Sequence, residues 1–465
     1  MKPVFLWTDW VVFLVLIGVA LYAWKIIRTP HLAVTWRKAF ANPVGAAAAT
    51  VLLAFISIGV LDSLHYRSRI ASQNGEVAYA TETHSALDAL LAHQATSRES
   101  SYSAPLATVA YEKTASVVDG QTVRRYPRLT FGGAHLQDPD SQWLSDVSQR
   151  AFAGAARGML AIFVLALAVS AIKARRNGSS IASAWKSIRA GHSKLPVRAV
   201  LGTLGLLFIL TGAVHGLAGQ YHVFGTDRTG NDLLYVVLKS IRTALVIGTM
   251  STLVTMPIAV GLGILAGFLR GWVDEVIQYI YTVINSIPYV LMIAAMVLIL
   301  MTFIDSHADI FATSAERTDA RLFFLCLILG MTSWTDLCRL IRGEVIKLRE
   351  AEYIQAAQAF GVSTWRILSV HLLPNVMHLI LISMVINFSG LVLAEAVLSF
   401  VGIGVDPAMA SFGTLINTAR LELSREPTIW WTLATAFTFM FTMVLSANLF
   451  ADAIRDAFDP RAIHK

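Results

Sequence analysis

Nine apolar runs divide this chain, at 10–22, 44–61, 152–172, 200–217, 233–268, 276–304, 322–340, 375–401 and 430–449. In lipid every backbone N–H and C=O must be paired within the segment, so a run of about 20 apolar residues is read as a spanning helix. The expected fold is all-α and polytopic, with about nine transmembrane helices. Composition agrees: 55% of the residues are apolar and 14% charged, against about 45–50% and about 25% in soluble chains.

The net charge of +7 would suit a nucleic-acid partner, but the distribution of the basic residues argues otherwise. Lys25, Arg28, Arg37 and Lys38 follow the first run, and Lys173, Arg175, Arg176, Lys186, Arg189, Lys194 and Arg198 follow the third. Arg339, Arg342, Lys347 and Arg349 follow the seventh. Short loops rich in Lys and Arg remain cytoplasmic, so the expected partner is the bilayer and no nucleic acid is implied. The same rule places the N-terminus outside and the C-terminus inside, with the first run an uncleaved span. Residues 62–150 are too polar to cross a bilayer, and their flanking spans put them outside as a small α+β insert. Within it, 116–123 reads as a hairpin turning on Asp119-Gly120, 84–93 as a short helix, and Asp140-Ser141 as a helix cap. No metal or disulfide framework is expected: His84, His93 and His135 read as surface residues, and the only cysteines, Cys326 and Cys338, as packing residues.

Residues 350–375, EAEYIQAAQAFGVSTWRILSVHLLPN, are a polar excursion between two spans. Residues 352–360 read as a short helix rich in Ala and Gln, closed by Gly361 as a C-terminal cap. Ser363 or Thr364 can cap a second helix, and Pro374 is expected to end the excursion. This helix–Gly–helix segment resembles the EAA loop of ABC-importer permeases, whose pattern is E-A-A, three residues, G, nine residues, I-x-L-P. Ala356, Ala357, Gly361, Leu373 and Pro374 match in spacing, while Gln355 and His371 stand where the pattern has Glu and Ile.

Four further segments resemble the C-type permeases of dipeptide and oligopeptide importers, in order along the chain. Residues 222–232 match H-x-L-G-T-D-x-x-G-R-D through Gly225, Thr226, Asp227, Gly230 and Asp232, with Phe224 and Asn231 departing. Residues 271–275 (GWVDE), 393–402 (LAEAVLSFVG) and 455–461 (RDAFDPR) follow. The resemblance covers roughly the last 265 residues, a six-span type I importer core over 200–465. Residues 1–61, holding the first two spans, the insert 62–150, and the third span with its basic loop, 151–199, have no counterpart in the six-span pattern.

The resemblance implies a permease subunit that forms half of a translocation pathway for peptides or peptide-like solutes. It implies four kinds of partner: a homologous B-type permease, one or two cytoplasmic ABC ATPases, a periplasmic substrate-binding protein, and the bacterial inner membrane around them. Glu352, Tyr353, Gln355, Ala356, Ala357, Gly361, Leu373 and Pro374 would form the ATPase-coupling element, and the outer turn at Gly225–Asp232 reads chiefly as structural. The chain has no G-x-x-x-x-G-K-[ST] phosphate loop, so ATP and Mg are expected on the partners, no cofactor is expected here, and enzyme activity is not implied. The alternative is an ion-gradient-driven secondary transporter, which would want acidic residues buried within spans. Glu395 is the good candidate there, as a pathway group or a structural hydrogen-bonding one. Lys239 and Arg242 are expected to snorkel or to pair with Asp232, Asp336 to pair with Arg339 or Arg342, and Pro288 to kink its span.

Overall fold

The computed structural model describes residues 2–70, 78–118, 121–191, 196–307, 310–311 and 313–458. Among the described residues, nine helices are long and apolar enough to cross a membrane. The helix Leu233–Leu269 is the axis of the molecule. It begins at Asp232, whose side chain accepts the N–H of Leu234 at 2.8 Å. Its 37 residues reach about 55 Å, longer than a hydrocarbon core of about 30 Å, so its first turns, which contact the insert, extend beyond that thickness. Against it pack Thr335–Arg349, Leu373–Phe400, Ser314–Thr332 and Pro43–Asp62. Close approach is set by small residues. A Cβ on Gly263 would lie 2.9 Å from the carbonyl of Cys338, and one on Gly267 would lie 2.8 Å from that of Arg342. Cys326 and Cys338 are both buried in these contacts.

The extra N-terminal helices are built onto that core. Trp7–Arg28 lies along Ser314–Thr332, with the Trp7 and Phe323 rings 5.5 Å apart. Pro43–Asp62 runs beside Trp431–Phe458, where Gly45 admits Ala453, and against the central helix Leu233–Leu269, where Gly59 admits Leu245. Pro139–Asn177 pairs with Val197–Ala218 across a seam of Gly154, Gly158, Gly212 and Gly216. Small residues at four-residue spacing let the two backbones touch.

The insert is held by short pieces. Lys2–Val4 pairs antiparallel with His65–Arg67, which pairs with His84–Ser85, so the N-terminus and the start of the insert share one face. Thr114–Val118 and Gln121–Arg125 form a hairpin with Val118 opposite Gln121; its Asp119-Gly120 turn lies outside the described residues. The helix expected at 84–93 is two, Ala86–Leu90 and Ala92–Thr96. The cap expected from Asp140-Ser141 is instead Asp138, with Pro139 in the first turn, a position where a missing N–H costs nothing. Of the segment 455–461, the helix reaches Phe458, and the remainder lies outside the described residues.

Three runs are shaped differently from their hydropathy. Pro288 does more than kink 276–304: Trp272–Ser286 ends, Ile287 is extended, and Tyr289–Ser306 starts anew. The run 322–340 is likewise broken, at Ser333 and Trp334. Pro374, by contrast, does not end the polar excursion. Thr364–Arg366 continues through a wide-turn π segment, Ile367–Leu372, into Leu373–Phe400, with Pro374 in the first turn of that helix. The wider turn takes up the hydrogen bond that proline cannot make, as π-bulges do elsewhere.

Candidate functional site

The polar excursion forms a compact step on the face of the basic loops. Glu352–Ala359 is a two-turn helix, and Gly361 follows at φ +71°, the left-handed conformation that glycine adopts without strain. Ser363 then opens the second helix with its backbone, its side chain making no cap bond. Ile354, Ile367 and Leu372 are fully buried against Ile341 and Val345, which fixes the step to the broken span behind it. Ala357 faces that core too, so it packs inward and is not available for docking. Leu373 is half-buried and also packs on this core. Glu352, Gln355, Ala356 and Pro374 are exposed, and Tyr353 is half-exposed with its hydroxyl accepting from Asn375 at 3.1 Å.

Two aromatics on this step escaped the motif. Phe360 is 87% and Trp365 76% exposed, one on each side of Gly361. A pattern that scores only E-A-A, Gly and Pro does not see them; their place beside a glycine turn in a polar loop was the available signal. Behind the step, Arg342 ties Thr335–Arg349 to Trp272–Ser286: its guanidinium donates to both oxygens of Asp274 at 2.6 and 2.7 Å and holds that carboxyl below its usual range. Asp336 pairs with Arg339 at 3.1 Å, leaving Arg342 to Asp274.

On the opposite face, the turn His222–Asp232 anchors the insert. Gly225 and Gly230 both adopt positive φ, and a Cβ on Gly230 would lie 1.9 Å from the carbonyl of Glu99. The Asp227 carboxylate accepts the N–H groups of Thr229 and Asn231. Thr226 accepts from the Ser103 N–H at 2.7 Å through its hydroxyl and from the Trp431 indole at 3.1 Å through its carbonyl. Buried His222 lies between two carboxylates, Asp232 at 2.9 Å and Glu99 at 3.4 Å, the latter an ion-pair contact longer than a good hydrogen bond. Glu99 also accepts three backbone N–H groups, from Thr130, Phe131 and Gly132.

Burial alone would raise the carboxyl pKa and lower that of the imidazole, but the partners outweigh it. Glu99 is lowered to about 2 and His222 raised to about 9. Glu99 therefore stabilises docking above its free value, near 4.5, and this is lost as pH falls through about 2. The His222 contribution is complete below 6.5 and lost as pH rises through about 9. Limited proteolysis of 97–133 is expected to accelerate at least severalfold between pH 7 and pH 10, and His222→Asn should abolish that step.

Lys239 and Arg242 do not pair with Asp232. Lys239 contacts Asp88 at 2.7 Å and Asp62 at 3.5 Å. Arg242 contacts Asp9 at 2.7 Å and Asp319 at 3.5 Å, and donates to Thr8 and Ser63. Asp232 is already committed to capping its helix and to His222. His65 binds the other oxygen of Asp9 at 2.8 Å, so the network joins the first helix, the insert and the central helix beside a cavity of about 670 Å³. Glu395 is sealed near the C-terminal end of Leu373–Phe400, accepting from Ser399 at 2.6 Å and Ser411 at 3.1 Å. That geometry fits the structural role and presents no carboxylate to a pathway. Of the histidines read as surface residues, His93 and His135 are exposed, His135 with a contact to Asp146 at 2.8 Å, while His84 is half-buried and lines that cavity.

The geometry is that of a membrane-spanning permease, with a helix–Gly–helix step on one face and a capped, charge-locked turn on the other. Residues 259–464 match the family described as binding-protein-dependent transport system inner membrane component. The chain is 31% identical over 242 residues to the oligopeptide transport system permease protein of Mycobacterium bovis, covering 52% of this chain and 77% of that one. It is 32% identical over 241 residues to the dipeptide transport system permease protein of Lactococcus lactis subsp. cremoris, covering 52% of this chain and 64% of that protein's length. The glutathione transport system permease protein of Pectobacterium atrosepticum is 31% identical, covering 52% and 73%. The chain belongs to this family of ABC-importer permeases.

Proposed function

We propose that this chain forms half of the translocation pathway of an ATP-driven importer of peptides or peptide-like solutes. The observation that carries this reading is the step at Gly361, anchored by Ile354 and Ile367 and offering Tyr353, Phe360 and Trp365 outward. A rigid projection with exposed aromatics suits an anchor in a partner's pocket. The relatives named for dipeptide, oligopeptide and glutathione transport support the substrate class. In this reading 200–465 is the permease unit, and 1–61, 62–150 and 151–199 are additions to it. The N-terminus and insert are periplasmic, and the step and C-terminus cytoplasmic.

The partners are a homologous permease, one or two ATPases that carry ATP and Mg, and a periplasmic binding protein. ATPase closure pushes on the exposed side of 352–360, and the buried side passes the displacement to the broken span 314–349. An ion-driven carrier finds less support, since Glu395 is sealed by Ser399 and Ser411. Gentle purification from native membranes followed by mass spectrometry tests the assembly. A second permease and an ATPase should co-purify, and Phe360→Ala with Trp365→Ala should release the ATPase first. A chain that purifies alone from intact membranes would overturn the proposal.

A further inference from the structure

A cavity of about 540 Å³ opens where two spans break beside a third that carries Asn387. Its walls are the break at Ile287-Pro288, the break at Ser333-Trp334, and Leu373–Phe400 around Asn387 and Gly390. Its depth follows from helix rise. Ser333 lies about 18 Å of helix from Arg321 at the outer rim and about 13 Å from Arg342 at the inner one. Asn387 lies about 12 Å of helix from Glu395. The cavity therefore sits within the hydrocarbon layer, where polar groups face protein or a water-filled path, and where broken helices in transporters border substrate sites.

The polar groups on its walls are mostly neutral. Thr335 donates to the Asn285 side-chain oxygen at 2.9 Å, and that amide's NH₂ has no acceptor among the described residues. The Tyr289 and Ser333 hydroxyls are 3.1 Å apart. Asp336, at the edge, is already engaged by Arg339. The Asn387 amide has no hydrogen-bond partner among the described residues, although it lies in an apolar span and is half-buried. A Cβ on Gly390 would meet nothing within 4 Å, so the wall is open beside it.

We infer that this cavity is the chain's contact with the translocated solute, and that it holds a peptide by its main chain. The inference rests on the importer reading above. Each peptide unit offers one donor and one acceptor, which is what carboxamides and hydroxyls complement. A neutral set of this kind satisfies every peptide bond alike and ranks side chains weakly.

The test uses the whole importer in proteoliposomes, with trialanine and trilysine as probes. Cys326 and Cys338 are buried, so the thiol of an Asn387→Cys variant stands out to a water-soluble maleimide. It should react, and trialanine should slow the reaction severalfold while free alanine does not. Asn387→Leu should lower uptake of both tripeptides alike, by about tenfold, as expected for one unmade hydrogen bond. Assembly should persist, and Asn387→Gln should recover part of the loss. A thiol at 387 that never reacts would place Asn387 in a subunit contact and overturn the inference. Normal uptake by Asn387→Leu, or a loss confined to one tripeptide, would also overturn it. Wild-type vesicles that take up neither tripeptide would remove the peptide reading itself.

Discussion

Gly361→Val is expected to reduce solute uptake by more than tenfold while leaving the protein inserted at near-normal abundance. Gly361 adopts φ +71° with open space around the position a Cβ would take, so the effect arises in the backbone alone. A left-handed conformation costs an L-residue about 1–2 kcal/mol, and a β-branched residue suffers most. The strain is relieved if Glu352–Ala359 turns relative to Thr364–Arg366, which moves Phe360 and Trp365 apart. Because those side chains face away from the core, stability should change little, and hydrolysis should continue without productive uptake. Gly361→Asn is the control, since asparagine tolerates this conformation, and should stay within a few-fold of the parent. Uptake, ATP hydrolysis and membrane abundance measured on the same preparation check the prediction. Equal behaviour of the Val and Asn variants would remove the coupling role.

The second large effect is at the other face. Arg242→Ala should detach the N-terminal helix Trp7–Arg28, because it takes the guanidinium from Asp9 and Asp319, both essentially without solvent exposure, and leaves them only the weaker partners His65 and Thr8. Removing one member of a buried ion pair typically costs about 3–5 kcal/mol, most of it the penalty on the charge left behind. Adding Asp9→Asn to Arg242→Ala should recover part of that loss, a sign pattern that a simple cavity would not produce. The Trp7 and Phe323 rings are 5.5 Å apart, so a Trp7→Cys, Phe323→Cys pair reports the contact through its crosslinking yield. The yield should fall sharply with Arg242→Ala and rise again with the compensating change. A yield unmoved by Arg242→Ala would mean that packing of Trp7–Arg28, not the ion network, holds the first helix.

Much of this architecture is legible in the sequence because the bilayer imposes it. Every apolar run of the required length became part of a spanning helix, and Gly361 and Asp232 act as the stop and start signals that their chemistry suggests. Position along a span was harder to read. The break at Ser333-Trp334 carries no proline or glycine, so hydropathy runs through it unchanged. Pro374 reads as a terminator until a π segment, which has no composition of its own, absorbs it. The charge network was least legible: Asp9 and Arg242 are 233 positions apart, and no periodicity links them. The pairing of Lys239 with Asp62 and Asp88, rather than Asp232, depends on an insert whose own composition carries no site signature. The same holds for Glu99, which looks like an ordinary surface acid until the turn His222–Asp232 folds against it.

ATP-driven uptake by the assembled complex tests the central claim most directly. The chain would be reconstituted with its co-purifying subunits and the periplasmic binding protein, and labelled tripeptide counted inside the vesicles. Accumulation should require ATP on the cytoplasmic side, survive collapse of proton and sodium gradients, and be lost with Gly361→Val. Accumulation by the isolated chain, driven by an ion gradient and indifferent to ATP, would contradict the account.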